Sequence, residues 1–262
     1  MNIAVLIGHG KGDSGGYDPG ACAQGYQEFK LAREIGKYAA DALSKYDHKV
    51  ELVNYTGGMN LKERIGYCNV RDYSLVVECH LNAGKGTGCE VYHADGSVKG
   101  QQLAAAVSKG ISTALGIVDR GARTKKTNEG TDYFGIIRQT IMHALLVETC
   151  FIDSGDVYTV NTEAGQRKAG EAMAKAIVNV LGIKEEAKMQ GVLYIGDFTS
   201  KVEAQMVEAF TARGGHTCEV VPYNGRWGVL VTKLAVGKTT VQLKTALVDW
   251  AGMYSCDPAG KK

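Results

Sequence analysis

Short apolar runs alternate with longer amphipathic segments over residues 1–181. The short runs are typical of buried strands, and they cover Ile3–Ile7, Val50–Val53, Ser74–Cys79, Glu90–Tyr92 and Ala144–Thr149. The amphipathic segments have the apolar spacing of helices, and they cover Glu28–Leu43, Leu61–Asn69, Ser97–Leu115 and Thr162–Leu181. This alternation predicts an α/β fold, with a mixed or parallel sheet flanked by helices.

A polar segment, "GIKEEAKMQ" at residues 182–190, follows the last of these helices, and Gly182 suits the helix C-terminus. A second, shorter pattern then begins, in the order strand, helix, strand, strand and helix. We therefore predict a first domain over residues 1–182, a linker over 183–190 and a small second α/β domain over 191–262.

Charge and composition narrow the classes of protein that the chain could represent. The 262 residues carry a formal net charge of only +2 and no long basic run, so we expect no nucleic-acid partner. No segment approaches the ~20 apolar residues that cross a bilayer, so we expect no membrane partner. The first apolar run follows Met1 without a basic leader, which predicts synthesis in the cytoplasm without a signal peptide. The 7 cysteines are odd in number and lack CxxC spacing, which favours reduced thiols.

Four chemically useful side chains stand near the ends of predicted strands or at the start of a helix. They are His9, Glu28, His80 and Glu148. Open α/β sheets place their sites at the carboxyl ends of strands, and two imidazoles with one carboxylate are the ligands of many catalytic zinc sites. Each residue alone is more often structural, so the hypothesis of a metal site rests on the four together. Glu148 stands out because it lies in an apolar run, where an unpartnered carboxylate is costly.

The glycine-rich loop that carries His9, "GHGKGDSGGYDPGA" at residues 8–21, has two interpretations. It could cradle a phosphate, or it could present His9 to a metal. A phosphate-binding loop opens directly into a helix, whereas here the first strong helix starts only near Glu28. We therefore favour a metal-presenting turn, and it stays open whether residues 11–20 contact a substrate or only close the loop.

Four strings in this order, "GHG", "YQE", "HLNA" and "LVETCFID", resemble the zinc-dependent N-acetylmuramoyl-L-alanine amidases of the amidase-3 family, which are peptidoglycan hydrolases. The resemblance covers roughly residues 1–181. It implies one catalytic Zn²⁺ held by His9, Glu28 and His80, and a catalytic role for Glu148. It also implies cleavage of the amide bond between N-acetylmuramic acid and the L-alanine of the stem peptide.

The chain departs from the family pattern at three positions close to these motifs. Ile7 stands where an acidic residue is common, Glu78 where serine is common, and His143 where proline is common. Strand alternation places Glu78 on the same face as His80, so its charge could act on the zinc.

Two further polar residues near the motifs have open roles. Asn82, in the "HLNA" string, either caps a turn or shapes the site. Arg138 either meets a carboxylate of the substrate or is an ordinary exposed arginine.

The C-terminal segment resembles the small α/β wall-binding domains of clostridial phage endolysins, most visibly in "GKTTVQLKTALVDW" at residues 237–250. This resemblance implies binding to peptidoglycan or a secondary wall polymer, with self-association also open. The segment's aromatic residues either stack on sugars or pack in its core: Tyr194, Phe198, Tyr223, Trp227 and Trp250. Met189, at the linker, could start a second translation product.

The sequence is therefore compatible with three functions. A phage endolysin released to the cell wall through a holin pore fits a wall hydrolase that lacks a signal peptide. A host autolysin of the same activity is the first alternative. A catalytically inactive wall-binding protein is the second, but it predicts the loss of a zinc ligand or of Glu148, and all four residues are present.

Overall fold

The computed structural model describes residues 1–46, 48–183, 193–213, 217–223 and 226–233. The chain divides into two compact units, 1–186 and 187–262. Several predictions fall outside the described residues: the linker beyond Ile183, Met189, the last helix of the second domain and Trp250.

The first unit is built on a six-stranded sheet. Its strands are β1 (Asn2–Ile7), β2 (Lys49–Val53), β3 (Leu75–Asn82), β4 (Cys89–His93), β5 (Asp119–Arg123) and β6 (His143–Phe151). They lie in the order β2-β1-β3-β6-β4-β5, and every neighbouring pair is parallel except the antiparallel pair β6 and β4. The central strands are apolar and buried on both faces, as parallel strands covered by helices must be. The predicted α/β fold with a mixed, mainly parallel sheet is confirmed.

Five helices cover the two faces of the sheet unequally. They are α1 (Glu28–Leu43), α2 (Leu61–Asn69), α3 (Val98–Leu115), α4 (Gly135–Gln139) and α5 (Glu163–Leu181). The long helices α1, α3 and α5 share one large core with the odd-numbered residues of β1, Ile3, Val5 and Ile7. The short helices α2 and α4 share a smaller core with Ala4 and Leu6, which point to the opposite face.

Most predicted elements are confirmed to within one or two residues, and the differences have local causes. Ser97 and Thr162 are helix N-caps rather than first helical residues, because each side chain accepts a hydrogen bond from a backbone N–H three positions later. Strand β5 and helix α4 were not predicted. The five residues of β5 are all polar, small or charged and lie on an edge of the sheet, and α4 spans little more than one turn.

The second unit contains a small three-stranded antiparallel sheet. Its elements are β7 (Leu193–Phe198), α6 (Lys201–Arg213), β8 (Thr217–Tyr223) and β9 (Arg226–Lys233), with β9 in the middle of the sheet. Phe198 and Trp227 are partly buried and pack against a core of Ala204, Val207 and Val229. Core packing therefore accounts for these two aromatic residues. Over both units, no described helix has the length and apolar character that crossing a membrane requires.

Candidate functional site

His9, Glu28 and His80 meet at the carboxyl ends of β1 and β3. One possible ligand atom from each residue lies within 4.8 Å of the others. His9 Nε2 is 3.1 Å from Glu28 Oε1, and His80 Nδ1 is 2.8 Å from the same oxygen. The three side chains come from the end of one strand, the start of a helix and the end of a second strand, so only the folded sheet brings them together.

The loop after β1 holds His9 in an orientation that leaves one ring nitrogen for the cluster. His9 adopts a left-handed backbone conformation with φ of 64°. Asn54 stabilises it, since its side-chain amide donates to the carbonyl oxygens of Ile7 and His9 at 2.8 and 2.9 Å. The Nδ1–H of His9 donates to Asp18 Oδ2 at 2.8 Å, which leaves Nε2 facing Glu28. The glycine-rich loop therefore presents a histidine, as the sequence favours.

Glu28 is the first residue of α1, and it is only 4% exposed. Its carboxylate accepts hydrogen bonds from the backbone N–H groups of Ala21 and Leu81, at 2.8 and 3.1 Å. Burial alone would raise the pKa of this carboxyl, but hydrogen bonds with His80 and His9 outweigh burial and hold the pKa well below its usual range. Glu28 is therefore an anion, which is the form that binds a cation.

His80 is packed so tightly that its orientation is fixed. Its Nδ1 faces Glu28, and the opposite edge of the ring rests on Gly8, where an added Cβ would lie 2.2 Å from both Cε1 and Nε2. Cys79, beside it, lies in the large core on the other face of the sheet and is not part of the cluster.

Glu148 lies on β6 directly beside His80 on β3, in register on the same face of the sheet. Its side chain is buried, and its Oε2 makes no hydrogen bond with any described residue. Burial raises the pKa of this carboxyl to about 7, an effect that the positive charge of His80 opposes and the negative charge of Glu28 reinforces. A carboxyl with a pKa near neutrality, next to a candidate metal ligand, has the property that a general base needs.

The donor set of His9, Glu28 and His80 fits a catalytic zinc ion. Donor atoms around a tetrahedral zinc at ~2.0–2.1 Å lie roughly 3.3 Å apart. The separations of 3.1 and 2.8 Å from Glu28 Oε1 to the two imidazole nitrogens are close to that value. Two neutral imidazoles and one carboxylate also leave a fourth position free for water or substrate.

A cleft of about 250 Å³ opens beside His9 and His80 on the α2 and α4 side of the sheet. Its apolar lining residues are Leu61, Phe134, Ile136 and Leu146. Lys11, Gly12 and Asp13, from the loop after His9, also line it. Residues 11–13 of this loop therefore line the cleft, and a contact of residues 11–20 with a substrate stays a prediction.

A second polar group, centred on Glu90 of β4, flanks Glu148 on its other side. Glu90 pairs with Glu148 in the sheet, and its carboxylate accepts from Asn82, Tyr92 and Arg120 at 2.7, 2.8 and 2.6 Å. Asn82 also accepts from the backbone N–H of Ala83, so its side chain links the end of β3 to Glu90 of β4.

Arg138 is exposed and donates to the backbone carbonyls of Asp132 and Tyr133. The structure gives it no contact with the four candidate residues. Four residues near the site were not predicted from the sequence: Asp18, Arg64, Glu90 and Arg120. Of these, only Glu90 could have been identified, because it is a charged residue within a predicted buried strand.

The sequence is similar to proteins of one enzyme family. The family model described as N-acetylmuramoyl-L-alanine amidase matches residues 3–179. A sporulation-specific N-acetylmuramoyl-L-alanine amidase of Bacillus subtilis (strain 168) is 26% identical over 212 residues, which are 78% of each chain. The endolysin of Bacillus phage SPP1 is 30% identical over 184 residues, which are 66% of this chain and 65% of that one.

A solved structure shares the fold. The N-acetylmuramoyl-L-alanine amidase of Clostridium difficile 630 has a TM-score of 0.59 and 26% identity, covering 69% of this chain and 96% of that one. Together with the family match over residues 3–179, this shows that the chain belongs to the amidase-3 family of N-acetylmuramoyl-L-alanine amidases.

Proposed function

We propose that the chain cleaves the amide bond between N-acetylmuramic acid and the L-alanine of the peptidoglycan stem peptide, with zinc bound by His9, Glu28 and His80. The observation that carries this proposal is the position of Glu148. Its buried carboxyl, with a pKa of about 7, stands in register beside His80, which is one of the candidate ligands. All four groups of the reaction are present, which argues against an inactive wall-binding protein.

The residues of the site divide the chemistry among them. A zinc ion held there would polarise the scissile carbonyl and lower the pKa of a coordinated water. Glu148 accepts the proton of the attacking water and then passes it to the departing nitrogen of L-alanine, acting as base and then as acid. Asp18 keeps His9 in the tautomer whose Nε2 faces the cluster, and the backbone N–H groups of Ala21 and Leu81 hold Glu28.

The new chain ends of digested wall identify the bond that is cut. Purified peptidoglycan is incubated with the full chain, and the products are assayed for new N-terminal alanine and for new reducing sugars. The proposal expects new N-terminal L-alanine without new reducing ends. New reducing ends would mean cleavage between sugars and would overturn the proposal.

We further propose that the protein is a phage endolysin, made in the host cytoplasm and released through a holin pore. Its support is the 30% identity to the endolysin of phage SPP1. The similarity to a sporulation amidase of Bacillus subtilis keeps a host autolysin as the competing role.

Expression of the full chain in a Gram-positive host, with and without a co-expressed holin, separates the two roles. The endolysin role predicts lysis only with the pore. Lysis without any pore would favour export by the host.

We propose that residues 191–262 bind the cell wall, which raises the effective substrate concentration at the catalytic domain. Sedimentation of the full-length Glu148→Gln variant with whole walls tests this, compared with walls stripped of secondary polymers by acid. A secondary polymer as ligand predicts that binding falls on stripping. Unchanged binding would assign the peptidoglycan itself. Self-association through this unit stays a prediction, which light scattering can check.

A further inference from the structure

Arg64 of α2 and Glu78 of β3 form an ion pair inside the protein, next to the candidate metal site. Arg64 Nε donates to Glu78 Oε1 at 2.7 Å. The residues are 4% and 1% exposed, so solvent screens the pair very little.

The place of Glu78 in the sheet makes a purely structural role a poor explanation. Its cross-strand neighbours in register are Leu6 and Leu146, which belong to the smaller apolar core. A buried ion pair contributes little or nothing to stability compared with well-packed apolar residues of the same volume. An apolar residue would continue the row between the two leucines, so the carboxylate requires another reason.

The pair touches both candidate metal-binding histidines. Glu78 Oε2 lies 3.3 Å from His80 Nε2, a buried atom that makes no other contact of hydrogen-bonding type with the described residues. Arg64 Nη1 donates to the carbonyl oxygens of Met59 and His9, at 3.0 and 3.4 Å. Arg64 therefore holds the backbone at one histidine and the carboxylate beside the other.

We propose that Arg64 and Glu78 are positioning residues for the metal: Glu78 takes the Nε2–H of His80, which fixes the tautomer whose free Nδ1 faces the ion, and Arg64 anchors Glu78 and the backbone at His9. This inference rests on the proposed zinc site at His9, Glu28 and His80. Metal-bound histidines generally donate their second N–H to such a partner, and loss of the partner typically weakens metal binding about 10–100-fold. Serine at position 78, which the family pattern favours, would not supply the carboxylate.

Zinc affinity measured by competition with a chromophoric chelator tests the proposal without reference to activity. Glu78→Gln keeps the volume of the side chain, and Glu78→Ser and Arg64→Met remove one partner each. The proposal expects zinc Kd to rise roughly 10–100-fold in each variant. It also expects a non-additive effect when Glu78→Gln and Arg64→Met are combined, because the two residues act as one unit. Affinity within twofold of wild type in folded variants would overturn it.

A matched control separates positioning from general loss of stability. Glu51 of β2 accepts hydrogen bonds from Tyr67 and Tyr73, so Glu51→Gln also removes a hydrogen-bonded carboxylate from a strand of this sheet, but not one that contacts a candidate ligand. This variant is expected to lose stability and to keep the zinc affinity of wild type. Equal losses of affinity in Glu51→Gln and Glu78→Gln would assign a structural role to Glu78.

Nitrogen-15 NMR of the zinc-loaded wild type provides a readout that needs no variant to fold. The proposal expects His80 to show a protonated Nε2 with slow solvent exchange and a zinc-shifted Nδ1. Ligation through Nε2 would overturn it. If the proposed zinc site itself were wrong, the result would be distinguishable, because wild type would bind no zinc or the His9→Ala variant would bind zinc as tightly as wild type.

Discussion

Glu148 and His80 occupy paired positions on the neighbouring parallel strands β6 and β3, so their side chains project side by side from one face of the sheet. This register puts the Glu148 carboxyl, whose pKa is raised, next to the imidazole of His80, a candidate metal ligand. A slip of one residue in either strand would turn one of the two side chains to the opposite face. The register of two central strands therefore sets the spacing between Glu148 and His80.

Replacement of Glu148 by glutamine is expected to remove catalysis and to leave the metal site intact. Glutamine has the same shape but cannot accept a proton, so peptidoglycan cleavage should fall at least about 100-fold, the usual contribution of a general base. Zinc content by atomic absorption should stay at one ion per chain. Residual activity near that of wild type would assign the base to another residue.

The stability of the metal-free protein should decrease with rising pH because of Glu148. Its folded pKa of about 7 lies above the usual value of 4.5, so the folded state binds this proton more tightly than the unfolded state does. The stabilisation is complete below pH 4.5 and is lost as pH rises through about 7, up to about 3 kcal/mol. Glu148→Gln lacks this loss. Urea denaturation at pH 5 and pH 8 measures the free energy of unfolding of both proteins. Relative to wild type, the variant should be more stable at pH 8 than at pH 5. An equal difference in stability at both pH values would contradict the burial of Glu148.

Zinc affinity should increase steeply with pH. Burial alone would lower the pKa of both His9 and His80, but their contacts with Glu28 outweigh it and raise both pKa values. Zinc must displace a proton from each ring, so Kd should fall by up to about 100-fold per pH unit in the acid range. Chelator competition between pH 5.5 and 8 measures this slope. His9→Ala should abolish tight binding, whereas His143→Gln, at an exposed position of β6, should leave it unchanged.

Gly8 is expected to be essential for the orientation of His80. An alanine Cβ there would lie 2.2 Å from the imidazole, so Gly8→Ala must displace the ring, with a loss of roughly 1–3 kcal/mol of stability and weaker zinc binding. Gly66→Ala in α2 is the control, because its added Cβ would meet no atom within 4 Å. That variant should gain stability by about 0.5–1 kcal/mol, as alanine does in a helix interior. Thermal unfolding of both variants compares them, and a tolerated Gly8→Ala would show that the ring can shift freely.

The sheet and the proximity of His9 and His80 could be predicted from the sequence for a physical reason. Apolar periodicity reports the core, and the carboxyl ends of parallel strands converge, so His9 and His80 could be expected to meet. Asp18 and Arg64 could not be identified, because their partners lie on segments whose approach depends on loop conformation, including the left-handed turn at His9. Glu78 was expected on the face of His80, but its ion pair with Arg64 was not predicted. Strand β5, which carries Arg120, was not predicted because an exposed edge strand need not show alternating apolar and polar residues.

The most direct test of the account is cleavage of a soluble muramoyl-peptide by three preparations of the full chain: metal-free, zinc-reloaded, and zinc-reloaded Glu148→Gln. Only reloaded wild type is expected to release peptides with N-terminal L-alanine, at one bound zinc per chain, while the variant should bind zinc and release none. Undiminished cleavage by the metal-free protein, or by the zinc-loaded variant, would contradict it.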